Sequence, residues 1–331
     1  MNFKNNNENQ IKIEAVLQKK KEKVSKSAID NMWLLVIATV PNFLVAGYIF
    51  GVSVYWIIAL SIFFCVLLER LFNLLTHVES DPKDISSIIT GIIIAFLMPA
   101  NIPIYVLAVT CVFSILVAKK IFGGEGHAIV NVAVVGIIFA WSLFPTEMAN
   151  LPYPDVANKI GEGAANTTWQ NIIAGYEELI PSNLEMFLGF VPGAIGCVSV
   201  VAIVAGGILL LITRAITPTI PFVYIGTIVV MAIIVDNHPI AQILNGTVYF
   251  AAFFLLSDDY TTPKTELRKA TFAFFCAILS FIAMLVPAPS NGILVAILVM
   301  NIVGLRSKDL ERMEIKKDIN VEVVEKETGG Y

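Results

Sequence analysis

Apolar residues in this chain are gathered into long blocks, each bounded by polar residues, Pro or Gly, and few folds can accommodate such a pattern. Ten blocks can be delimited, near Met32–Phe50, Val54–Leu71, Ile85–Met98, Ile104–Ala118, Ala128–Phe144, Gly193–Thr213, Pro218–Val235, Pro239–Leu256, Ala270–Val286 and Gly292–Leu305. A helix crossing the hydrocarbon core of a bilayer needs about 20 apolar residues. With 57% hydrophobic and only 15% charged residues among 331, the chain holds more apolar surface than one soluble core would bury. The blocks must satisfy their own backbone hydrogen bonds in lipid, which selects helices. The expected fold class is therefore an all-α integral membrane protein of about ten transmembrane helices, with the lipid bilayer as its solvent. Ile85–Met98 is short for a full span and runs into Met98-Pro99-Ala100-Asn101, so it reads as a half-helix or as a span completed by irregular backbone.

Charge then orients the chain. When the ten segments are threaded in order, one side receives Lys19 to Lys21, Lys23, Lys26, Arg70, Lys83, Lys119, Lys120, Arg214, Lys264, Arg268, Lys269, Arg306, Lys308, Arg312, Lys316 and Lys317. Of the 22 Lys and Arg residues only Lys159 falls on the other side, in the long polar loop 145–191. The positive-inside rule makes the basic side cytoplasmic, with both termini there and an even number of spans in a cell membrane. The organisation expected is a basic cytoplasmic segment over 1–31, a membrane domain over 32–305 with its extracytoplasmic loop 145–191, and a cytoplasmic tail over 306–331. The first thirty residues are polar and Lys-rich and read as a cytoplasmic lead-in, not as a cleavable signal. No nucleic-acid partner is expected.

Five segments precede the long loop and five follow it, so the second half would be inverted relative to the first, as in two five-helix inverted repeats. Cys65, Cys111, Cys197 and Cys276 are too scattered for a metal-ligand spacing or a paired-thiol motif and read as buried thiols. His77, His127 and His238 stand near span ends and read as interfacial polar residues. Ionisable groups inside spans mark ion paths, since they are expensive there. Asp236, Glu69 and Glu125 are expected at span ends, leaving the interior to Thr90, Asn131, Ser199 and Asn301. That pattern argues against a relay of buried carboxylates, although carbonyls and hydroxyls can still coordinate sodium.

Three polar or Gly-rich stretches interrupt the apolar blocks. In Lys119 to Asn131, Gly123, Gly124 and Gly126 would let backbone amides approach a ligand or let the chain re-enter the membrane; an ordinary loop is the alternative. In Val191 to Ser199, Gly193 and Gly196 open a helix whose free amides would suit a phosphate. Leu256 to Lys264 combines Asp258 and Asp259 with hydroxyls and a Pro, and could equally be a helix cap with a turn.

At these three stretches the chain resembles the RnfD/NqrB family, the large membrane subunit of Rnf and sodium-pumping NADH:quinone reductase complexes, from about Met32 to Leu305. Lys119 to Asn131 is similar to the family's A-K-x-x-[FY]-G-G-x-G-x-x-x-F-N-P-A block, Pro192 to Ser199 to P-G-S-I-G-E-x-S, and Phe253 to Lys264 to F-F-x-x-[ST]-D-P-x-[ST]-x-[ST]-T-P-K. The resemblance implies ten helices in two inverted halves and an FMN joined through its phosphate to a Thr on the extracytoplasmic side. The family's attachment motif resembles D-x-x-[ST]-x-A-T; here Glu162 to Thr168 stands in its place and puts Thr168 on the flavinylated position. This sequence departs from the pattern at Glu162, Ala165, Thr167, Cys197, Val132 and Asp259.

The function implied is a membrane subunit of an Rnf-type redox complex, carrying electrons through FMN between a cytoplasmic donor and partner subunits, with coupled Na+ or H+ movement. Expected partners are the other Rnf-type membrane and cytoplasmic subunits and a flavin transferase. FMN would be esterified to Thr168, with Thr167 beside it, Trp169 or Phe190 stacking, and Gly193, Gly196 and Ser199 at the outer mouth. Gly123, Gly124, Asn131 and Asp258 complete the candidate cofactor residues and leave room for a second flavin. The alternatives are an inverted-repeat solute transporter or channel without a redox group, and a flavin-free anchor subunit.

Overall fold

The computed structural model describes residues 31–77, 85–121, 130–152, 171, 180–235, 239–258, 261–263, 265–285 and 292–304. Within them, helices stand at all ten of the apolar positions. Four are long enough to cross a membrane: α1 (Asn31–Phe50), α2 (Ser53–Thr76), α4 (Ile104–Ile121) and α9 (Glu266–Leu285). Six are shorter: α3 (Ser86–Phe96), α5 (Val132–Leu143), α6 (Val200–Ile212), α7 (Thr219–Val235), α8 (Pro239–Leu255) and α10 (Gly292–Gly304). The chain is an all-α, multi-pass membrane protein. Two further short helices, Pro145–Ala149 and Asn183–Leu188, belong to the long loop.

The second helix shows how this sequence suits lipid. Its buried residues are Val54, Ile58, Ser61, Cys65, Glu69 and Asn73, a stripe of helical period. Its opposite face exposes Trp56, Phe63, Leu67, Leu71 and Leu74. Polar groups thus point inward and large apolar groups outward, the reverse of a helix on a soluble domain, because an unpaired polar side chain facing hydrocarbon would be costly.

Helix α3 is 11 residues long, about 16 Å at the α-helical rise, against a hydrocarbon core of about 30 Å. It stops before Pro99, and its end is covered by chain from the other half: the Ile195 amide donates to the Met98 carbonyl at 2.9 Å and the Gly196 amide to that of Phe96 at 2.8 Å. The short helix expected here is therefore present and runs into irregular backbone, with its loose carbonyls satisfied by a crossing loop. Helix α8 is also interrupted. A first turn and a half, Pro239–Ile243, ends before Asn245, whose side chain accepts from the Thr247 amide and restarts the helix at Gly246. The last stretch, Ala251–Leu255, is π-helical.

Small residues set the close crossings. A Cβ on Gly206 would lie 2.1 Å from the Ala38 carbonyl oxygen where α6 crosses α1, and one on Gly91 would lie 2.7 Å from Ile62 Cα where α3 crosses α2. The core gathers α2 with α3 and α4, α4 with α5, and α7 with α9, while α6 bridges α1 and α8.

Candidate functional site

The candidate residues separate to opposite ends of the bundle. Thr167, Thr168, Trp169, Gly123 and Gly124 lie outside the described residues, as do His127 and His238. Gly196 meets the end of α3, with Gly193 and Ser199 on the same loop, and Asn131 bonds the end of α8, just before Asp258.

At the α3 end, the crossing loop is tightly packed. A Cβ on Gly196 would sit 2.4 Å from Phe96 Cβ and Cγ, and one on Gly246 would sit 2.1 Å from the Cys197 carbonyl oxygen. The Asn42 amide donates to the Gly196 carbonyl at 3.4 Å, and the Cys197 thiol to that of Phe96 at 3.9 Å. Ser199 is the N-cap of α6, its hydroxyl accepting from the Ala202 amide at 3.4 Å. The amides of Ile195 and Gly196, which the sequence presents as candidates for a phosphate, instead close the end of α3. Glycine at 196 answers to the Phe96 side chain packed against it, and glycine at 246 to close approach of the Cys197 backbone.

Above this crossing sits the loop helix Asn183–Leu188, started by a capping box in which Ser182 and Glu185 exchange bonds, and ended by Gly189 at φ 103°. It packs on α6 and on Pro239–Ile243 of α8. Leu184 and Phe187 are exposed on it, and Phe190 is half-buried just beyond. Below, on Pro239–Ile243, Gln242 is 1% exposed, and neither its amide nitrogen nor its amide oxygen has a hydrogen-bond partner. A buried carboxamide without partners is costly and suggests a ligand. Sequence reading missed it, since a single Gln in an apolar block carries no motif.

At the other end, Asn131 caps α5 by accepting from the Ala133 and Val134 amides at 3.2 and 3.3 Å, while its own amide donates to the Leu255 carbonyl at 3.3 Å. The first and third stretches are thereby tied together. The third is a C-terminal cap: Ser257 donates to the Ala252 carbonyl at 2.7 Å, and Thr262 donates through its hydroxyl to the carbonyls of Asp258 and of Leu256, the latter at 3.4 Å. The Asp258 carbonyl also accepts from the Thr261 amide at 3.3 Å.

One expectation is corrected. Glu69, expected at a span end, lies within α2, which runs on to Thr76, while Lys119 and Lys120 stand in the last turn of α4, which ends at Ile121. Lys119 and Lys120 reach Glu69 Oε1 at 2.5 and 3.0 Å, with the lysine side chains 6% exposed and that of Glu69 10%. Ser87 donates to the other carboxylate oxygen, and Lys119 donates to Ser86 at 2.7 Å and to Ser87 at 3.1 Å. Consecutive residues of an α-helix stand about 100° apart, but this part of α4, Phe113–Ile121, is π-helical, and both lysines converge on one carboxylate. The apolar blocks masked this network, because hydropathy averaged over a window hides charges that pair with each other. All four cysteines are free and buried, as expected, and Cys65 and Cys111, far apart in sequence, lie on the packed helices α2 and α4, with Cys111 Sγ 3.8 Å from the hydroxyl of Ser61, one turn before Cys65.

Residues 19–304 match the NQR2, RnfD, RnfE family. The D-type subunit of the Na(+)-translocating ferredoxin:NAD(+) oxidoreductase complex of Acetobacterium woodii is 30% identical over 278 residues, covering 83% of this chain and 86% of that protein. Its counterpart in the proton-translocating ferredoxin:NAD(+) oxidoreductase complex of Clostridium ljungdahlii is 26% identical over 297 residues, covering 84% and 88%. The B-type subunit of a Na(+)-translocating NADH-quinone reductase from Chromohalobacter salexigens is 28% identical over 227 residues, covering 65% of this chain and 55% of that protein. By a match that spans the whole helical bundle, the chain belongs to the NQR2, RnfD, RnfE family.

Proposed function

We propose that this chain is the D-type membrane subunit of a multi-subunit, ion-translocating redox complex, and that it carries electrons through an FMN held in the extracytoplasmic loop 145–191. The observation that carries the reading is likeness across most of both chains to the D-type subunits of ferredoxin:NAD(+) oxidoreductase complexes. Both termini are cytoplasmic in this reading, and the two groups of five helices are inverted halves.

The outer end suits a flavin. Thr168 supplies the hydroxyl for a phosphoester, with Thr167 alongside and Trp169 or Phe190 to cover a ring face. The carboxamide of Gln242 offers a donor beside an acceptor, the complement of the imide edge of an isoalloxazine, and its lack of protein partners is the structural support for a ring docked against Pro239–Ile243. When bound, FMN would supply one- and two-electron transfer between a donor and an acceptor. The protein's part is to hold the ring, pair its polar edge and keep water away. A second flavin at the opposite end gains no support from Asn131, whose amide is engaged on both sides by the protein.

The test is to co-express the chain with its flavin transferase, look for ultraviolet fluorescence of the denatured band, and weigh the peptide that contains Thr168. An FMN-phosphoester mass that disappears in Thr168→Val is the expected result. A bare Thr168 in protein purified from its native, co-expressed complex overturns covalent attachment and leaves the anchor or transporter readings. Gln242→Leu is expected to keep the ester while shifting the flavin absorption and fluorescence.

A further inference from the structure

Buried groups outside the flavin reading include one pair with reactive chemistry. Ser61 and Cys65 are one turn apart on the inward face of α2, and both are 0% exposed. Opposite them on α4, Cys111 is also 0% exposed, with its sulfur 3.8 Å from the Ser61 hydroxyl and 3.8 Å from the Ser61 carbonyl oxygen. Cys65 follows Ser61 by one turn on that buried stripe, so the two thiols share one closed layer between α2 and α4. Ser61 is itself pinned, donating to the Gly91 carbonyl at 2.7 Å, so α3 holds this face of α2 in place. Helices α2 and α4 pack directly on one another. Two buried thiols in one layer of packed helices can reach disulfide geometry, in which Cβ atoms stand about 3.5–4.5 Å apart, by side-chain rotation and a small helix adjustment.

We propose that Cys65 and Cys111 form an oxidisable dithiol within the membrane, a modification site whose product is a disulfide joining α2 to α4. With an uncharged azo oxidant such as diamide, one thiol adds across the N=N bond, its sulfur to one nitrogen and its proton to the other. The second sulfur displaces the resulting hydrazide, the S–S bond forms, and the departing nitrogen takes the second proton. Two S–H bonds are broken, the thiols lose two electrons, and the azo group becomes a hydrazine. Glu69 stands one turn beyond Cys65 on the same face, and Lys119 lies further along α4 from Cys111, so the bond would lock the two helices beside their ion network.

Cyanogen bromide cleavage gives a direct test, because cuts after Met32, Met98, Met148, Met186, Met231 and Met284 leave each of the four cysteines in a separate fragment. Full-length protein in native membranes would be treated with diamide, denatured in N-ethylmaleimide to block remaining thiols, cleaved, and weighed without reductant. The expected result is fragment 33–98 joined to fragment 99–148 with the loss of two hydrogens, separable by dithiothreitol, while Cys197 and Cys276 carry maleimide. The joined species should be missing from Cys65→Ser and from Cys111→Ser. Maleimide on all four cysteines after oxidation, or Cys65 joined to any sulfur other than Cys111, overturns the proposal. The readout on the unmutated protein does not depend on whether either variant folds, nor on whether flavin is attached.

Discussion

At the scale of single residues, the sharpest consequence belongs to Glu69. Two lysines share its carboxylate in a site nearly closed to solvent, and Lys120 also lies 5.9 Å from the centre of the Phe72 ring. Breaking such a site from one side leaves uncompensated buried charge, which costs about 3–5 kcal/mol. Glu69→Gln should therefore lower the thermal unfolding midpoint in mild detergent markedly. The double variant Glu69→Gln/Lys119→Met should recover part of that loss, since it removes one of the stranded cations; a double variant no more stable than the single one would contradict the assigned pairing. Asn131 makes a second case. Asn131→Ala removes both the cap of α5 and the bond to the Leu255 carbonyl, and loss of a cap alone costs about 0.5–2 kcal/mol. Asn131→Asp keeps the acceptor and loses the donor, so it should fall between Asn and Ala if the bond to α8 matters. Neither residue's true role was legible in the sequence: Asn131 sat in a motif that suggested a ligand, and Glu69 lay in a block whose charges looked terminal.

At the scale of elements, the interrupted helices carry the interest. Helix α3 ends short, and the loop 191–199 completes it by donating from Ile195 and Gly196. That arrangement leaves no room at two glycines. Gly246→Ala would place a methyl group against the Cys197 carbonyl, a backbone atom that cannot swing aside, whereas Gly226→Ala meets nothing within 4 Å. Overpacking costs about 1–3 kcal/mol. Gly246→Ala should lower the unfolding midpoint and Gly226→Ala should leave it unchanged or raise it, as measured by differential scanning fluorimetry in detergent. The sequence signalled α3 as short, a half-helix or a span completed by irregular backbone, through its length and Met98-Pro99. It could not signal what covers the end, because the covering chain comes from beyond the long loop.

At the scale of the whole molecule, the charge asymmetry leads to a topology that can be checked directly. The four cysteines are buried, so native thiols should not react with a membrane-impermeant maleimide in intact cells. Asn158→Cys in the long loop should then be labelled from outside, and Lys308→Cys in the tail only after permeabilisation; labelling in the opposite sense would overturn the assigned orientation. Composition and block length were enough to establish helices in a bilayer, because lipid offers no partner to an unpaired backbone group and so leaves little choice of secondary structure. Charge bias pointed to a sidedness for the same kind of reason, acting on each loop separately. Three motif stretches in order also carried the family, which the match over residues 19–304 shows. What only the tertiary structure decided was pairing across distance. It brought Cys111 to Ser61, one turn from Cys65, both lysines to Glu69, Asn131 to Leu255, and the loop at Gly196 to the end of α3. Each of these depends on which faces of which helices meet, and a one-dimensional pattern of apolar blocks holds no information about that.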